Sequence, residues 1–147
     1  MTTTETLHGA LRATIETFYR AVAEQDIALL GEAVTEDWLY IPPGAADAQP
    51  GPAQMQAAFK NLAVALSDMK IELIDVLIHD NKIGVRARVT GRQTGPWMGA
   101  AASSLPVDFA VHSFHEARDG RICKTWHLED WLSFFRQIGA VPPNLTV

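Results

Sequence analysis

His127 and Glu129 form the pairing in this sequence that most resembles working chemistry. On an extended strand, residues i and i+2 point the same way, roughly 7 Å apart at Cβ. Their side chains can meet, and a carboxylate against an imidazole holds the ring in one tautomer. That is a general-base arrangement. In it, His127 would take a proton α to a carbonyl or activate a water, and Glu129 would orient the ring. The plainer reading is a core histidine beside a solvated rim carboxylate.

Other reactive residue types offer less. His112, His115 and His127 invite a metal site, but i and i+3 on a regular strand face opposite ways, so His112 and His115 cannot share an ion. No metal and no cofactor are expected. Ser113 and Ser133 lack the strand–turn–helix context of a nucleophile elbow. Cys123 is the single cysteine, which excludes an internal disulfide and any CxxC motif. Trp38, Tyr40, Phe18 and Tyr19 could line an apolar pocket with polar tips, although for Phe18 plain core is the simpler role. Tyr40 is the candidate to donate a hydrogen bond to a developing oxyanion.

The elements that must position these residues follow from periodicity. Leu7, Leu11, Ile15, Phe18 and Val22 predict a helix over 5–23. Asp26 caps a short second helix running through Val34. Thr35 to Ile41 reads as extended, and Pro42 to Pro50 as a loop. Pro52 opens a third helix with the stripe Met55, Phe59, Leu62 and Leu66. Four strands follow: Met69–His79, an alternating run containing Ile83, Val85, Ala87 and Val89, then Leu105–Ala117 and Arg121–Asp130. Gly95 to Ser104 is a loop of small residues. Arg86, Arg88 and Arg92 fall on the outer sheet face. A last helix covers Trp131 to about Ile138, capped by Asp130 and stopped by Gly139.

The hairpin Arg118-Asp119-Gly120 decides which side chains share a face. Read as a three-residue loop, it pairs Ser113 with Thr125, Val111 with His127 and Phe109 with Glu129. Phe109, Val111, Ser113, His115, Thr125, His127 and Glu129 then share one face, and Phe109, Val111, Ser113 and His115 join the pocket set. A two-residue Asp119-Gly120 turn would move the register by one and exchange the faces of one strand. The first reading is favoured because it sets His127 among apolar neighbours. Trp126 and Asp130 point the other way. Trp126, Phe114 and Ala110 on that outer face are too much apolar area to leave wet, so a homodimer through it is expected.

The bulk properties fit one domain, residues 1–147. Hydrophobic residues are 48% and charged residues 20%, which is a globular composition. Twelve Lys and Arg against 17 Asp and Glu give a charge of −5, a poor field for nucleic acid. No apolar run is long enough for a membrane span, and the first residues lack a signal-peptide pattern. The expectation is a cytoplasmic protein that binds neither nucleic acid nor membrane. Helices segregated on one side of an antiparallel sheet make an α+β fold: a curved antiparallel sheet closed by three helices, with a pocket between them.

Three stretches resemble the SnoaL-like polyketide cyclases of the nuclear-transport-factor-2-like superfamily. They are Gly91-Arg92-Gln93-Thr94-Gly95, Asp119-Gly120-Arg121-Ile122 followed by Trp126, and Arg136-Gln137-Ile138-Gly139. Asp37-Trp38 before a Pro-rich loop is a weaker match. The resemblance implies a cone-shaped α+β barrel, usually a homodimer, with a deep apolar pocket. It also implies cofactor-free acid/base chemistry, such as an intramolecular aldol ring closure. The chain departs from the family at its catalytic positions. The Asp seven residues after the hairpin glycine is His127 here, the His seven before it is Ser113, and the pocket Asn is Tyr40.

The expected function is a cofactor-independent lyase or isomerase resembling polyketide cyclases, acting on a hydrophobic, oxygenated small molecule. Two alternatives stand beside it. One is a non-catalytic ligand-binding or dimerisation module with the same cone. The other is an epoxide-hydrolase-like reaction, which lacks its usual carboxylate at position 127.

Overall fold

The computed structural model describes residues 3–42 and 49–146. Most of the expected Pro42–Pro50 loop lies outside them. Helix α1 spans Thr3–Glu24 and α2 Ile27–Ala33; Asp26 caps α2 by accepting from the Leu29 N–H. Strand β1, Val34–Ile41, follows directly. A 3-10 turn, Pro52–Met55, leads into α3, Gln56–Ala65. Then come β2, Leu66–His79, β3, Lys82–Gln93, β4, Pro106–Arg118, and β5, Arg121–Glu129. Helix α4, Trp131–Gln137, is capped by Asp130, which accepts from the Ser133 N–H. Gly139 sits beyond it at φ 72°, a left-handed stop.

The α+β class holds, and two details extend it. The strand order is β1-β5-β4-β3-β2. Strands β2 to β5 are antiparallel, but β1 joins β5 in parallel, with Tyr40 opposite Thr125. The sheet is therefore mixed, and β1 and β2 do not pair to close it. Helices α1 and α3 cover the concave face, and their buried Leu11, Ile15, Phe18 and Phe59 join Val85, Ala87, Val89 and Val111 of the sheet in one core. The alternation read in β3 is exact in outcome: Ile83, Val85, Ala87 and Val89 are buried, while Arg86 and Arg88 reach out to Asp75 and Asp108.

Strand β2 begins three residues before Met69. Leu66 ends the helical stripe in extended backbone, and its side chain stays buried. Asp68 takes φ 52°, and the pairing with β3 shifts between Ser67 and Lys70. This bulge hides the strand start from any alternation pattern.

The hairpin register differs from expectation, and the correction is instructive. Arg118 pairs with Arg121, so the loop is the two-residue Asp119-Gly120, both with positive φ (53° and 77°) as a type I′ turn needs. A bulge follows at Cys123, because Ile122 pairs with Ala117 but Lys124 with Glu116. The turn moves the register by one and the bulge by one more. The two shifts together restore the original faces. They also place Ser113 opposite His127, Val111 opposite Glu129 and His115 opposite Thr125, in place of the expected pairs.

Between β3 and β4 a loop folds back over α3. Gly95 approaches so closely that a Cβ there would lie 2.2 Å from the Val64 carbonyl oxygen. The fully buried Gln93 amide staples this loop. It donates to the carbonyls of Gly95 (3.1 Å) and Ala101 (3.0 Å) and accepts from the Ser103 N–H (3.0 Å). The loop carries Trp97 to the concave side.

Candidate active site

Beneath α1 and α3 the concave face of the sheet encloses a cavity of about 190 Å³. Of the residues expected there, Phe18, Tyr19, Trp38, Tyr40, Phe109 and Val111 line it, as do His127 and Glu129. Ser113 and His115 do not reach its surface. Both are buried behind the wall, where they hold the lining residues instead. The rest of the lining is apolar, including Met55, Phe59, Leu62 and Ile71. Trp97 and Trp131 were missed from sequence. They pack with their rings tilted by 44° at 5.5 Å between centroids, and Trp131 packs on Phe109 at 5.3 Å. Their signal was there to read: a tryptophan after Gly95-Pro96 and another at a helix start have no stripe of their own and must find a common surface.

Among the described residues of this lining, His127 and Glu129 supply the imidazole and the carboxylate. Their side chains are 12% and 15% exposed, and Nε2 lies 2.6 Å from Glu129 Oε1. The other ring nitrogen, Nδ1, lies 2.7 Å from Ser113 Oγ. Both nitrogens are thus engaged within the protein. The Tyr40 ring stands 5.7 Å from the imidazole.

A second polar group of atoms lies behind the first. Tyr19 Oη is 3.0 Å from His115 Nε2, His115 Nδ1 is 2.8 Å from Thr125 Oγ1, and the Trp38 indole N–H donates to the same Thr125 oxygen at 3.0 Å. Burial, and secondarily the charge of His127, pushes the His115 pKa down to about 3. Burial raises the Tyr19 phenol well above its ordinary value, against a hydrogen bond from Ser113 and helped by the Glu129 charge. Burial raises the Tyr40 phenol too, with Glu129 and Tyr19 adding to it. Both phenols therefore stay protonated and available as donors.

The remaining candidates lie elsewhere. His112 sits on the exposed outer face, away from His115 and His127. Among the described residues, no three His, Cys, Asp or Glu side chains converge as metal ligands. Asp130 is held by Ser133, whose side-chain and backbone hydrogen bonds lower its pKa. Trp126 faces outward under Lys124. Among the described residues no helix is long and apolar enough to cross a membrane.

The model of the SnoaL-like polyketide cyclase family matches residues 13–138. No curated protein sequence matches the chain. Among solved structures, TsrD from Streptomyces laurentii is 26% identical with a TM-score of 0.81, over 90% of this chain and 97% of that one. A protein from Jannaschia sp. CCS1, assigned to the SnoaL-like polyketide cyclases, is 23% identical with a TM-score of 0.79, over 91% and 94% of the two chains. IdmH from Streptomyces antibioticus, assigned as a polyketide cyclase, is 22% identical with a TM-score of 0.75, over 88% and 98%.

Proposed function

Because this chain belongs to the SnoaL-like polyketide cyclase family, we propose that it is a cofactor-independent cyclase or isomerase that moves a proton α to a carbonyl in a hydrophobic, oxygenated small molecule. The observation that carries this reading is the His127–Glu129 pair, 2.6 Å apart, set in an otherwise aromatic and aliphatic cavity. A low-dielectric wall strengthens every charge interaction with a bound substrate. By the resemblance, the family's catalytic position falls on His127, and Glu129 brings a carboxylate to the same wall. Tyr40 supports the electrophilic half: its phenol keeps its proton and faces the cavity, where it can donate to an enolate oxygen.

The protein acts, in this reading, as a cytoplasmic homodimer. Leu77, Phe114, Leu128 and Trp126 stand on the outer side of the sheet, 73%, 68%, 58% and 37% exposed. Such a patch favours a second copy over water. Light scattering at tens of micromolar should give twice the chain mass and, for Phe114→Asp/Leu128→Asp, the single mass; a monomeric wild type refutes the dimer.

The activity is tested with 2-tetralone, a bicyclic ketone with acidic α-protons. In D2O the wild type should wash deuterium into the α-carbons faster than buffer alone, and 2-naphthol, which mimics the enol, should suppress that gain. No acceleration over buffer would contradict the proton-transfer reading.

A further inference from the structure

The polar atoms around the cavity form two short hydrogen-bonded chains, Trp38–Thr125–His115–Tyr19 and Ser113–His127–Glu129, and a group that can only donate or only accept stands at one end of each. Trp38 Nε1 can only donate, so Thr125 Oγ1 accepts from it. Thr125 is fully buried, and its other partner is His115 Nδ1. If Nδ1 carried a proton, it would donate as well, and the threonine hydroxyl proton would be stranded, at a cost of about 1–3 kcal/mol. Thr125 therefore donates to Nδ1, and the His115 proton sits on Nε2, donated to Tyr19 Oη. The pKa of about 3 agrees with a ring that carries one proton.

The first chain ends at the Tyr19 hydroxyl. In the second, Ser113 gives its proton to His127 Nδ1. His127 then carries its proton on Nε2 and donates to Glu129, which as a carboxylate can only accept. The donor-only indole sets the direction of the first chain, and the acceptor-only carboxylate puts a proton on His127 Nε2 in the second.

We infer that this chain holds His127 as a hydrogen-bond donor, and that Glu129, not the imidazole, is the group that takes the proton from the substrate. The inference rests on the proton-transfer reading above and reverses the roles expected from sequence. His127 offers no lone pair to the cavity, since both nitrogens are engaged. Glu129 Oε1 is held by the ring, and its second oxygen has no protein partner among the described residues. In the step, that oxygen takes the α-proton. The C–H electron pair becomes the C=C bond of the enolate, and the carbonyl oxygen takes the negative charge beside the Tyr40 O–H. Glu129 then returns the proton to carbon. His127 and Ser113 are positioning residues.

The test is nitrogen–proton NMR of the imidazoles in the full chain, assigned with His127→Gln and His115→Gln. Both His127 and His115 should show Nε2–H with Nδ1 as an acceptor. Ser113→Ala should shift the His127 Nδ1 resonance and leave the fold in place. A His127 ring with a proton on Nδ1, alone or together with Nε2, overturns the chain. The 2-tetralone exchange gives the second arm. A glutamine at 127 can still accept from Ser113 and donate to Glu129 but cannot act as a base. His127→Gln should therefore remain at least about tenfold faster than Glu129→Gln; equal losses overturn the assignment. If the wild type were inert toward the ketone, the proton-transfer reading would fall, while the NMR result would still decide the chain.

Discussion

Replacing Thr125 by valine removes one oxygen and almost no volume, so its effect isolates the hydrogen bonds. The residue is fully buried on β5, where valine is an excellent strand former. Two partners lose their bond: the Trp38 indole N–H, itself fully buried, and His115 Nδ1. An orphaned buried polar group costs about 1–3 kcal/mol. Two of them amount to roughly 2–6 kcal/mol, lowered by the strand preference of valine by up to about 1. For a domain of this size each kcal/mol moves Tm by about 3 °C, so a fall of roughly 3–18 °C is expected. Thermal unfolding followed by tryptophan fluorescence measures it, with Thr17→Val as the control, since Thr17 is only half-buried and its hydroxyl donates to the Ala13 carbonyl. A loss at Thr125 no larger than the control would refute the claim that this hydroxyl anchors the chain.

His115 makes acid stability a second test. Its folded pKa of about 3, set chiefly by burial, lies below its ordinary value of 6.5. Between those values the unfolded chain binds a proton that the folded one does not, so stability is complete above pH 6.5 and is lost as pH falls. The loss is about 1.4 kcal/mol per unit. Urea midpoints from pH 7 to 4 should fall more steeply in the wild type than in His115→Gln; identical slopes would contradict it. Gln93→Leu should leave the Ser103 N–H and two carbonyls without their partner, costing at least about 3 kcal/mol. Amide exchange at Ser103 should speed up relative to β3, and unchanged protection would show that the loop needs no staple.

The elements and their faces were legible because burial follows periodicity. The stripe of α1, the alternation of β3 and the caps at Asp26 and Asp130 are local signals, each written in residues within one turn or one strand. Register is not local. A two-residue turn and a three-residue loop fit Arg118-Asp119-Gly120 almost equally, and the bulge at Cys123 has no composition signature. The faces survived because the two one-residue shifts add to an even number. The partners did not, and so the Ser113–His127 and His115–Thr125 contacts were hidden. Parallel pairing of β1 with β5 was hidden for a similar reason, since a strand's own sequence does not record its neighbour's direction. His127 and Glu129 were legible as a pair from spacing alone. That both imidazole nitrogens are occupied required the observed register.

The most direct measurement is the rate at which Glu129→Gln exchanges the α-protons of 2-tetralone in D2O. Glutamine keeps the size of the side chain and removes its ability to take a proton. The account predicts a rate at least about 100-fold below the wild type, with the ketone still bound. A variant that exchanges as fast as the wild type would contradict the claim that the cavity's carboxylate does the chemistry.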